Sequence, residues 1–262
     1  MGGTGVAFYL ILVVFALPGI VIGFTCHEFC HALVATGFGD PLPRRQGRLS
    51  LNPAAQVDPV GLVMLLLLGF GFARPVQFNP LIVRTGPRRA WVAAVGPLCN
   101  LALAAVLGLA LRLLLTADPQ VANCLLPSFA LSPAGALYWV LIEAFFINVI
   151  LCVFNLLPIP PLDGYRVVEG LLGGRFPRPF AAVERRLGAI YLVAILLLVV
   201  APQLLPGVGS PVYGAISALY TGLWHPLVGS SATPLTFFPN FQYLFQAPSG
   251  SLAQALTAPC GP

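Results

Sequence analysis

Cys26-His27-Glu28-Phe29-Cys30-His31 is the stretch on which the reading of this chain turns, and it lies inside an apolar run from Val6 to Phe38. No Pro falls between Ile20 and Gly39, so one helix can run through it. Positions four apart share a helix face, so His27 and His31 aim their imidazoles the same way. At that spacing two neutral imidazoles can grip one zinc ion. Glu28 sits beside that face, where its carboxylate can take a proton from a water held there. A chance match on a buried helix is the bland alternative. Against it, the chain has only three His in all, and two are here. Two imidazoles and a carboxylate inside an apolar helix are also costly unless something uses them.

Composition sets the surroundings of this helix. With 58% hydrophobic and 8% charged residues over 262 positions, the chain reads as an all-α polytopic membrane protein. That length suits one compact membrane domain without a large soluble attachment. The net charge of +5 rests on 13 Arg, with no Lys. A balance of that size suits lipid headgroups, and no aromatic-and-basic patch accompanies it, which argues against a nucleic-acid partner. Six Cys show no CxxC pair and read as small apolar residues in lipid-embedded helices. The N-terminus lacks a charged leader, so a cleaved signal peptide is not expected.

Arg placement gives the expected topology. Three Arg fall in 40–57, four in 73–89 and five in 165–186. All three segments should face the cytoplasm. Spans are expected at Val6–Phe38, Ala90–Leu115, Ala134–Leu157 and Leu187–Leu205, with Val212–Trp224 a span or an interfacial helix. The total is about five to six membrane segments. Asp58–Phe72 is short and basic on both flanks, so it should enter and leave on one side. Arg48-Leu49-Ser50-Leu51 alternates as a brief strand would. His31 lies six residues before Gly37, about 9 Å of helix, so the site should sit just inside the inner surface. Water must then reach it through a polar cavity. Residues 1–186 form the expected core. Residues 187–262, which carry no Asp, Glu, Lys or Arg, form a separate C-terminal membrane or interfacial segment.

An open catalytic zinc site takes three protein ligands, so a third must come from elsewhere. His225 lies in the uncharged tail without a partner motif. Asp163 and Glu143 are the serious carboxylate candidates. Asp163 follows the helix-breaking run Pro158-Ile159-Pro160-Pro161, and broken backbone at membrane depth is tolerated where it lines a cavity. Glu143 sits in unbroken helix.

Taken together, His27-Glu28-Phe29-Cys30-His31 and Asn155-Leu156-Leu157-Pro158-Ile159-Pro160-Pro161-Leu162-Asp163-Gly164 resemble motifs of the site-2 protease family of intramembrane zinc metalloproteases, in its short bacterial branch without a PDZ domain. Asn52-Pro53, Asp58-Pro59-Val60-Gly61, Gly71-Phe72-Ala73-Arg74-Pro75-Val76 and Gly96-Pro97-Leu98-Cys99-Asn100 extend the match, which covers roughly 20–170. The resemblance implies cleavage of a substrate's transmembrane helix, with one zinc per chain held by His27, His31 and Asp163 and with Glu28 as base. It implies a membrane-associated β-structure within 46–83 that contacts extended substrate. Asn155 and Asn100 become candidates for positioning the substrate or the transition state. Depth agrees on the third ligand, since Glu143 lies about 14 Å from the outer end of a span that starts outside. The implied partners are the bilayer and a single-span membrane protein. A non-proteolytic metal-binding protein, either a transporter or a substrate-binding scaffold, is the alternative class, although no inverted repeat supports a transporter.

Overall fold

The computed structural model describes residues 3–68, 73–79, 81–83, 86–122, 133–195, 197 and 211–229. Its regular elements are helical. They are α1 (Gly3–Gly37), α2 (Leu42–Arg45), α3 (Pro53–Gln56), α4 (Pro59–Leu68), α5 (Pro87–Ala117), α6 (Pro133–Asn155), α7 (Asp163–Leu172), α8 (Pro177–Glu184), α9 (Leu187–Ile195) and α10 (Pro211–Leu227). Three stretches are long and apolar enough to cross a bilayer: Val13–Gly37, Pro87–Ala117 and Pro133–Asn155. They match the first three expected spans, and the chain is an all-α membrane protein. Exposed apolar side chains such as Val14, Leu33, Val106 and Leu113 along α1 and α5 suit a lipid-facing surface. The second half of the span expected at Leu187–Leu205, most of the loop before Pro133 and the tail beyond residue 229 lie outside the described residues.

Prolines punctuate this order. Pro53, Pro59, Pro87, Pro133, Pro177 and Pro211 each open a helix, where a missing N–H costs nothing. Asn52 caps α3 by accepting the Ala54 N–H at 3.1 Å, and Asp58 accepts those of Val60 and Gly61 before α4. The helix break after Asn155 forms as expected. Gly164 is required there, because a Cβ would stand 2.2 Å from the Leu156 carbonyl oxygen.

The β-structure expected within 46–83 does not form among the described residues, which hold short helices and an irregular segment, 73–79. Side chains take the place of a ladder. Gln56 Nε2 donates to the carbonyls of Arg48 and Ser50, both at 2.8 Å. The Arg48 guanidinium donates to the carbonyls of Ala55, Arg74 and Pro75. Once these carbonyls are occupied, the brief alternation at 48–51 has no strand partner to pair with.

The fold comprises two compact units, 21–102 with 149–216 and 1–20 with 103–148 and 217–262. In the second, Gly19 lets α1 approach α6, since a Cβ there would lie 2.5 Å from the Ala144 Cα. Phe145, Phe146, Tyr220 and Trp224 form its aromatic core, with ring centroids 5.2–5.9 Å apart. In the first, Gly170 packs α7 on the start of α5, a Cβ there lying 2.5 Å from the Ala90 nitrogen. Arg89 and Glu169 join the same two helices at 2.7 Å.

Candidate active site

All the groups that converge on α1 belong to the unit 21–102 and 149–216. His27 and His31 are buried, and their Nε2 atoms lie 3.0 Å apart. Asp163, the first residue of α7, brings its Oδ2 to 3.0 Å from His27 Nε2 and 3.1 Å from His31 Nε2. Among the described residues, these three side chains form the one group with metal-ligand geometry, their donor atoms all within 4.8 Å. Glu143 and His225 lie in the other unit, His225 exposed on α10.

The far sides of the rings fix which nitrogen faces inward. His27 Nδ1 is 2.6 Å from Asn100 Oδ1, and His31 Nδ1 is 2.6 Å from the Val92 carbonyl oxygen. The Asn100 orientation is set independently, because its Nδ2 donates to the Gly23 carbonyl at 3.2 Å. Both Nδ1 atoms face acceptors and so carry the hydrogen, which leaves each Nε2 of a neutral ring a bare lone pair. Two such lone pairs and a carboxylate within 3.1 Å repel one another unless a proton or a cation lies between them. The donor set, two imidazoles and one carboxylate, suits zinc. Burial opposes ionisation of Asp163, yet His31 and His27 outweigh it and hold the carboxyl well below its usual range.

Gly96 on α5 completes the cradle. A Cβ at this position would lie 2.3 Å from His31 Nε2 and 2.7 Å from His27 Nε2, so only a bare α-carbon fits. Its place ahead of Pro97 in an apolar span was the available signal for close approach. Val92 contributes main chain, which no side-chain pattern reveals.

Glu28 is buried beside the two His, and its Oε2 accepts the Val76 N–H at 3.1 Å. Val76 belongs to the irregular segment 73–79, and the Phe78 ring stands 6.4 Å from that of His31. A cavity of about 480 Å³ lies against Val76 and Val92, the residues whose main chain meets Glu28 and His31, and Pro161, Arg89, Arg166 and Glu169 also line it. Its lining is mainly apolar with a few charged side chains. Asn155 ends α6, and its Nδ2 donates to Leu151 O of its own helix at 2.9 Å. Asn100 lies behind His27 rather than in the cavity wall. The thiols of Cys26, Cys30, Cys99 and Cys152 are free.

Membrane helices joined to two buried histidines and a half-buried aspartate, with an adjacent glutamate, define a class, the membrane-embedded metallohydrolases. Comparison with known proteins narrows it. Residues 129–200 match the model of peptidase family M50. YwhC of Bacillus subtilis, provisionally named a zinc metalloprotease, is 40% identical over 155 residues, 58% of this chain and 67% of that protein. Rip2 of Mycobacterium tuberculosis, named in the same way, is 33% identical over 196 residues, 73% of this chain and 68% of its own length. MJ0611 of Methanocaldococcus jannaschii is 28% identical over 163 residues, 62% of this chain and 73% of that protein. No solved structure matches. The chain belongs to peptidase family M50.

Proposed function

We propose that this peptidase hydrolyses peptide bonds within or beside the transmembrane segments of membrane-protein substrates, with single-span proteins the natural targets and regulated intramembrane proteolysis its setting. That it is a zinc metalloprotease of the membrane follows from the family and from relatives of that name. The observation carrying the reading is the convergence of two imidazole nitrogens and a carboxylate oxygen, a set that can hold a metal ion, beside a buried glutamate. His27 Nε2, His31 Nε2 and Asp163 Oδ2 would hold the metal. When bound, zinc supplies a Lewis acid that polarises a carbonyl and acidifies water.

Each remaining step belongs to the chain's own residues. Asn100 and the Val92 carbonyl hold the two rings in the tautomer that offers Nε2. Glu28 takes the proton of the attacking water and returns it to the leaving amide nitrogen. The cavity admits water and a locally unwound substrate, since a helical peptide must expose its carbonyl before attack. Asn155, half-buried at the end of α6, is the residue we assign to positioning that carbonyl.

The same reading covers topology. We place the protein in the cell membrane with the site toward the cytoplasm. The run 58–72, short for a crossing and basic on both flanks, is re-entrant. Further segments beyond residue 187 bring the total to five or six, and 1–186 form the protease core. Single cysteines at Ser50 and Asn79, in a background lacking the native ones, should be labelled from one side, and opposite-side labelling would make α4 a crossing.

Glu28→Gln tests the function. Cleavage should fall by about 1,000-fold, within the usual contribution of a general base. Zinc content should stay at the wild-type level, because Gln leaves the ligand set intact. A Glu28→Gln protein that still cleaves would remove the base assignment.

A further inference from the structure

The segment Arg74–Asn79 is neither strand nor helix, yet its main chain is held at three places. Upstream, Arg48 Nη2 donates to the carbonyls of Arg74 and Pro75, the latter at 2.9 Å, while the Arg74 N–H donates to the Gln56 carbonyl at 2.9 Å. Downstream, the Asn79 N–H donates to Asp40 Oδ2 at 2.7 Å, and the other oxygen of Asp40 takes the Leu42 N–H at 2.9 Å. Between these clamps the Val76 N–H reaches Glu28. Both clamps are buried, Arg48 at 5% exposure and Asp40 at 0%.

A guanidinium is costly to bury, so the way its donors are used is informative. Arg48 directs them to the carbonyls of Ala55, Arg74 and Pro75 and, at 3.2 Å, to Gln56 Oε1. Two of those carbonyls immediately precede the amide that holds Glu28. Consecutive Cα atoms are about 3.8 Å apart, so slippage of Arg74–Pro75 by one position carries the Val76 N–H out of bonding range of Glu28. Burial works against the charge on Arg48, while the nearby Glu28 carboxylate favours it.

We propose that Arg48 is a positioning residue for peptide hydrolysis: by fixing Arg74–Pro75 it seats the Val76 N–H on Glu28 and holds that carboxylate in its working orientation. The proposal rests on the reading of Glu28 as base. Only a forked guanidinium reaches carbonyls on both sides of this junction. Lys keeps the charge and loses the fork.

The test uses the full-length, zinc-loaded protein in detergent, with a quenched-fluorescent peptide built around one apolar segment of roughly 20 residues as substrate. In Arg48→Lys, amide exchange over 74–79 should accelerate at least about tenfold while α1 stays protected. Zinc content should not change. The kcat should fall about 100-fold with KM within about threefold, as expected for a misplaced catalytic group. Arg48→Ala should behave alike and recover with added ethylguanidinium, but not with ethylammonium. If Arg48→Ala fails to fold, Arg48→Lys alone carries the decision. Unchanged exchange over 74–79, unchanged kcat, or a change in KM alone would overturn the proposal. A Glu28→Gln protein that still cleaves would instead overturn the base reading, a failure visible without any Arg48 variant.

Discussion

Asp163 and Glu143 lie in different units, and their surroundings are opposite. Asp163 lies within 3.1 Å of two imidazole nitrogens in the unit 21–102 and 149–216. Glu143, 3% exposed in the other unit, has an Oε2 with no hydrogen-bond partner among the described residues. The same contrast runs through both units. The one holding Asp163 joins buried polar groups in pairs and triples, such as Arg48 with Gln56 and His27 with Asn100. The one holding Glu143 packs aromatic rings. A buried charge in an apolar helix therefore does not by itself mark a metal site. Convergence of donors from separate elements does, and it needs both a broken helix to deliver Asp163 and a bare α-carbon at Gly96 to make room.

That contrast breaks most visibly at Gly96. Gly96→Ala places a methyl where two imidazoles meet, so at least one ring must swing away. Zinc affinity should drop by more than about 100-fold, above the range for losing an outer hydrogen bond. A competition titration against a chelator measures it, and near-wild-type affinity would show that the rings do not meet over Gly96. Asn100→Ala should have a smaller effect. It frees His27 Nδ1 and lowers affinity by about 10- to 100-fold while leaving all three donors in place. An unchanged chelator titration would mean that Asn100 serves the substrate instead of the ligand.

Much of the site was legible in advance, for identifiable reasons. His27, Glu28 and His31 are local, and helix geometry alone puts the two His on one face. Asp163 was legible because prolines mark the helix break that delivers it, while depth in its span argued against Glu143 and the family resemblance agreed. Asn100 was visible as a polar residue in a span, but its partner lies 73 positions away in sequence, so its service to His27 was not. The Val92 carbonyl and the Val76 N–H are main chain and leave no trace in composition. Arg48 was read as a topology signal because its donors go to carbonyls up to 27 residues distant. Among the described residues the expected β-structure is absent, and there Arg48 and Gln56 bond carbonyls that a strand partner would have needed.

Metal analysis of two purified variants side by side tests the central claim most directly. Asp163→Ala removes one of three converging donors, whereas Glu143→Gln alters an acid in the other unit. The account predicts that Asp163→Ala retains little zinc and does not cleave, while Glu143→Gln keeps one zinc per chain and its activity. Zinc retained in Asp163→Ala but lost in Glu143→Gln would contradict the ligand assignment and the inferred orientation of the membrane helices with it.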